Sequence, residues 1–169
     1  MAIVTRGKFL AAASAFLGVL GAVALLCAPT LADNASPISQ LAGRWVGQGR
    51  LGFSDGKIEN VKCRVTYFVS PKDDEIRQNI RCASPSGNID VQSNLSVVAD
   101  KVTGTWTETV YNMHGAVEGA ITKNGFRVVV KGEGLTANMD LILRAERQVV
   151  EIQFHGSTLV GLMLVLARG

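Results

Sequence analysis

From residue 45 to residue 166 the chain alternates apolar and polar side chains with a period of two, and no window sustains the 3.6-residue period of a helix. Trp45, Gly47, Gly49, Leu51 and Phe53 share one face of a first strand. Val61, Cys63, Val65, Tyr67 and Val69 share a face of a second, with Lys62, Arg64 and Thr66 opposite. Ile76, Gln78, Ile80 and Cys82 line a third, with Arg77, Asn79 and Arg81 on its other side. Further alternating runs start at Ile89, Val102, Val117, Phe126, Met139, Val150 and Leu159, separated by turn signals such as Ser54-Asp55-Gly56, Ser86-Gly87-Asn88 and Lys123-Asn124-Gly125. About ten short strands joined by short loops form a meander, and a meander keeps two exposed edges unless it closes. The pattern therefore predicts an all-β fold, an up-and-down antiparallel β-barrel of about ten strands, wide enough to leave space inside.

The segment ahead of the strands reads differently. Arg6 and Lys8 precede an apolar run over residues 9–26, and small residues follow, ending at Thr30 and Ala32. This is the layout of a secretory signal peptide over residues 1–32, with cleavage after Ala32; retention as a membrane anchor is the other reading. The expected organisation is a signal peptide, an N-terminal arm over residues 33–40 and one barrel domain over residues 41–169. Export to the periplasm or the medium follows. Without Arg6 and Lys8, the 17 basic residues fall to 15 against 14 acidic ones. The charge surplus thus belongs largely to the export segment, and no nucleic-acid partner is expected. Lys62, Arg64, Arg77, Arg81, Arg127 and Lys131 occupy outward positions, so the strands lack the apolar outer band of a membrane-spanning barrel.

Export leaves two cysteines in an oxidising compartment, Cys63 and Cys82, and their pairing can be tested by register. A four-residue turn closed by Ser70 and Glu75 opposes Val69 to Ile76, Val65 to Ile80 and Cys63 to Cys82. Directly opposed residues lie within disulfide reach. An inward-facing cross-strand disulfide is expected.

Candidate chemistry is sparse. Gly47-Gln48-Gly49-Arg50-Leu51-Gly52 matches the dinucleotide pattern in letters, but it leads into a turn and a strand instead of a helix. His114 and His155 stand alone, and no metal-ligand spacing or nucleophile elbow accompanies either; no metal site and no enzymatic constellation is expected. The polar residues on inward stripes carry more information. Tyr67, Gln78, Ser93 and Glu108 share faces with apolar neighbours, and with Trp45 and Trp106 they are the candidate lumen and ligand residues. Glu108 either stands in water at a barrel mouth or, if buried, meets a cation such as Arg44, a bound water or a ligand.

Gly43-Arg44-Trp45 resembles the Gly-x-Trp signature that opens the first strand of lipocalins and other calycin barrels. The longer Gly43-x-Trp45-x-Gly47-x-Gly49 resembles the nitrobindin-type ten-stranded haem barrels. The resemblance implies that Trp45 plugs the closed end. It also implies a haem held by a His on a late strand; His155 is the one candidate, and its outward parity argues against it, so no haem is expected. Small exported bacterial metalloprotease inhibitors are similar too, with a Gly-x-Trp, a single disulfide and an N-terminal trunk, here residues 33–40. The leading functional expectation is an exported soluble barrel that binds a small apolar or amphipathic ligand in its lumen and is not an enzyme. The alternative is an envelope interaction protein with a protein partner, such as a lipocalin-like protease inhibitor.

Overall fold

The computed structural model describes residues 36–169, so the expected signal peptide and the first residues of the expected arm lie outside the described residues. A 3-10 turn, Ser39–Leu41, leads into ten strands: β1 Gly43–Phe53, β2 Ile58–Val69, β3 Glu75–Ser84, β4 Gly87–Val98, β5 Lys101–Glu108, β6 Met113–Thr122, β7 Gly125–Gly132, β8 Leu135–Arg144, β9 Arg147–His155 and β10 Leu159–Arg168. Each strand pairs antiparallel with its sequence neighbour, and β1 closes on β10. The alternation therefore resolves as expected, into a closed up-and-down barrel of ten strands. Closure gives every strand two hydrogen-bonded neighbours and leaves no edge for a foreign strand. Because the barrel builds its own core and closes its own edges, it is a complete folding unit.

The β2–β3 hairpin has the register read from its turn length. Val65 faces Ile80, Tyr67 faces Gln78 and Val69 faces Ile76. Cys63 faces Cys82 with their Cα atoms 4.1 Å apart, and the two are joined as a disulfide. On β1, a Cβ added at Gly47 would lie 2.0 Å from the Val165 carbonyl oxygen of β10. Only glycine lets the two backbones approach this closely, so the letters of a nucleotide motif encode strand contact.

The two ends of the barrel differ. At one end Ile38 and Leu41, from the segment before β1, pack under the strands beside Trp45 and Leu166. Trp45 is 0% exposed, donates its indole N–H to the Leu41 carbonyl at 2.7 Å, and carries the Arg168 guanidinium 4.4 Å above its ring. Arg168 in turn donates to the carbonyls of Gln40 and Ala42 and pairs with Glu146. This end is closed. Ile38 and the residues after it are part of that floor. The turns β1–β2, β3–β4, β5–β6, β7–β8 and β9–β10 surround the opposite end, and no segment among the described residues crosses it.

Candidate functional site

Side chains on the inward stripes change character from floor to mouth. Trp45, Ile76, Val102, Gln148 and Leu166 near the floor are almost completely buried. Ile80, Val91, Val130, Met139, Ile152 and Leu162 point inward higher up, yet each retains partial exposure. In a closed barrel an inward side chain keeps surface only where there is room beside it, so these aliphatic residues line the less tightly filled upper part of the lumen.

One polar row interrupts that lining. Tyr67, Gln78, Ser93 and Trp106 are successive cross-strand partners on β2, β3, β4 and β5. Their positions agree with the inward parity read from the sequence. The Tyr67 hydroxyl donates across the barrel to Gln148 Oε1 on β9 at 3.2 Å, and burial pushes the phenol pKa up. Gln148 Nε2 has no hydrogen-bond partner among the described residues. Gln78 and Ser93 make no side-chain hydrogen bond there either, which leaves both free to meet a guest. Trp106 is fixed by donating to the Lys131 carbonyl at 3.1 Å. Its indole lies where side chains on Gly115 or Gly132 would otherwise stand, since a Cβ at either would come within 2.7 Å of the ring. The row is uncharged.

Charge returns at the mouth. Glu108 is 2% exposed, and Arg44, on the outward face of β1, does not reach it. Its partners are none of the water, cation or ligand considered from the sequence but backbone: the carboxylate accepts N–H groups of Asp90 at 2.9 Å, Val110 at 3.0 Å and Tyr111 at 2.6 Å. Sitting at the last residue of β5, it caps the turn that follows. Burial pushes its pKa up, but the three amides outweigh that and hold the carboxyl below its ordinary value. Glu59, absent from the sequence-based candidates, does the same work on the other side. It pairs with Lys57 at 2.6 Å and accepts the Ser86 N–H at 3.0 Å and the Ser86 hydroxyl, tying the β1–β2 turn to the β3–β4 turn. Lys57 first and Ser86 second bring its pKa down to about 2.

A pH dependence follows. Both carboxyls titrate lower folded than unfolded, so their stabilisation is complete above the unfolded value of about 4.3 and is lost as pH falls through the folded one. For Glu59 that end point is about pH 2. The thermal midpoint should drop between about pH 5 and pH 2, with a shallower drop in Glu59→Gln. An identical slope in that variant would remove Glu59 from the account.

Neither histidine enters the lumen. His114 is exposed on the outer face of β6, and His155 is exposed with its Nε2 3.0 Å from Asn138 Nδ2. Among the described residues no group of three or more His, Cys, Asp or Glu could hold a metal ion. A broad concavity of about 680 Å³ outside β6–β9 is lined by Glu118, Asp140, Glu151 and Arg127. It lies open on the outside of the sheet, with Arg127 already paired to Asp140 at 2.7 Å, so it offers no enclosure for a guest.

No protein-family model matches this chain, and no curated protein sequence does. Among solved structures it is similar to an S-type phycobiliprotein lyase from Guillardia theta, with a TM-score of 0.58 and 13% identity over 78% of this chain and 90% of that one. The likeness shows a shared β-barrel fold. It also overturns the expectation that the chain is not an enzyme: a barrel of this shape belongs to a protein named a lyase, so the missing nucleophile–base pair excludes no activity.

Proposed function

We propose that the barrel takes up a small apolar or amphipathic molecule through its mouth and holds it in the lumen. The apolar part of the guest lies among Ile80, Val91, Val130, Met139 and Ile152, and its polar edge meets Gln78 and Ser93. The observation that carries this reading is the set of inward aliphatic side chains that stay partly exposed inside a closed barrel. The uncharged polar row sets the guest's chemistry: carbonyl, amide or hydroxyl groups in place of a bare charge. An open-chain tetrapyrrole such as a bilin offers terminal lactam carbonyls on a largely apolar body to this row, with its two propionates left to reach solvent at the mouth. Neither histidine could ligate a haem in the lumen, because both lie outside it. The Cys63–Cys82 bond and the N-terminal apolar segment support an exported protein.

The test is fluorescence titration with N-phenyl-1-naphthylamine, which brightens in an apolar site. Wild type should bind it, and Val130→Trp or Met139→Trp, each filling the lumen, should weaken binding at least tenfold while the fold is retained by circular dichroism. Unchanged affinity in both filled variants would place the probe elsewhere and end this reading.

A further inference from the structure

The outside of the barrel is as unevenly built as the inside. Across β10, β1 and β2 the outward positions carry exposed Val160, Met163, Val165 and Ile58, with half-buried Val46 among them. The same strands present Arg44, Arg50, Lys62 and Arg64 outward and no acidic residue. None of these four cations has an ion-pair or side-chain hydrogen-bond partner among the described residues. The register makes the patch continuous: Val46 lies between Ala167 and Arg64, Gln48 between Val165 and Lys62, and Arg50 between Met163 and Asn60. Arg64 also faces Arg81 directly across β2–β3; Arg81 is paired with Asp90 at 2.8 Å, whereas Arg64 has no such partner among the described residues. The outer face of β5 is different, with Thr103, Thr105 and Thr107 and no exposed large apolar side chain.

The geometry points to an interaction surface: the β10–β1–β2 face rests on an anionic lipid bilayer, with Met163, Val165, Val160 and Ile58 in the headgroup boundary and the four cations on lipid phosphates. Two independent features select this occupant. Long basic side chains around aliphatic ones can reach headgroups while the aliphatic tips sink, which is the make-up of an interfacial surface. A second copy of the chain would bring like charges together, and a nucleic acid would leave the aliphatic centre in contact with phosphates. The face is independent of the lumen reading, because no residue of it points inward.

The experiment is vesicle flotation with residues 33–169, which contain the whole closed barrel. Vesicles of phosphatidylcholine alone are compared with vesicles containing phosphatidylglycerol. Each cation near an anionic surface contributes roughly fivefold to partitioning, so Arg50→Glu with Arg64→Glu should cost roughly thirtyfold or more. Lys101→Glu with Lys123→Glu makes the same change in net charge away from the face and should cost much less. Wild-type binding should require phosphatidylglycerol, weaken with added salt, and drop several-fold in Met163→Ser with Val165→Ser. Should the reversed pair misfold, Arg50→Gln with Arg64→Gln tests the same point with a smaller loss. Equal losses in the two charge-reversed variants, equal binding to both vesicle types, or no vesicle binding beside capture by an acidic protein would each overturn the proposal. None of these outcomes bears on naphthylamine binding in the lumen.

Discussion

Trp45→Ala should destabilise the barrel by roughly 4 kcal/mol, the loss typical of deleting a fully buried large side chain. The cost comes from three sources at one place. The indole fills the floor without any exposure, its N–H satisfies the Leu41 carbonyl, and its face supports Arg168. Removing it leaves a cavity beneath the lumen and releases the segment that carries Ile38 and Leu41. Trp45→Phe keeps most of the volume and should lose only about 1–2 kcal/mol, mainly the carbonyl's partner. Urea unfolding can be followed through Trp106, since the chain has 2 tryptophans and this one remains. A midpoint in Trp45→Ala within error of wild type would mean that the floor repacks around the hole.

Loss of the Cys63–Cys82 bond is the second large effect, expected at about 3 kcal/mol. The bond closes a loop with a sequence separation of 19, and the estimate follows from the freedom that loop regains in the unfolded chain. For a domain of this size that is a fall of roughly 10 °C in thermal midpoint. Cys63→Ala with Cys82→Ala should keep the register, because Val65 with Ile80 and Val69 with Ile76 hold the hairpin without the sulfurs. The check is calorimetry on the oxidised wild type, the reduced wild type and the double variant. Nearly coincident midpoints for the last two, both well below the first, are the expected result. A double variant as stable as the oxidised protein would show that β2 and β3 need no covalent tie.

Where the sequence was legible, one short-range rule governed the outcome. Period-two alternation places Tyr67, Gln78, Ser93 and Trp106 inward because strand geometry allows no other face. A turn closed by Ser70 and Glu75 then sets the partner of every residue on β2 and β3, cysteines included. Glu59 and Gln148 escaped the same rule only because the apolar stripes were started at Val61 and Val150. Each lies two residues earlier at the same parity, as the strand bounds show. The partners of Glu108 were beyond reach for a different reason. Three amide hydrogens converge on its carboxylate through the shape of a turn and a neighbouring strand, and turn shape leaves no periodic trace. Nor does alternation say which end is covered, since Ile38 and Leu41 reach the floor from outside the strands.

The barrel has ten hydrogen-bonded ladders, and nine of them join strands that follow one another in the chain. Each of those nine closes a loop of a few residues and loses little chain freedom in doing so. The tenth brings Trp45 beside Arg168, from opposite ends of the described strands. Almost all the entropy of long-range closure is therefore concentrated in a single ladder, where Gly47 and Gly49 let the backbone of β1 come close to that of β10. Until that seam forms, the molecule is an open sheet with two bare edges. The native topology thus makes joining β1 to β10 the one event that separates a sticky ribbon from a sealed vessel.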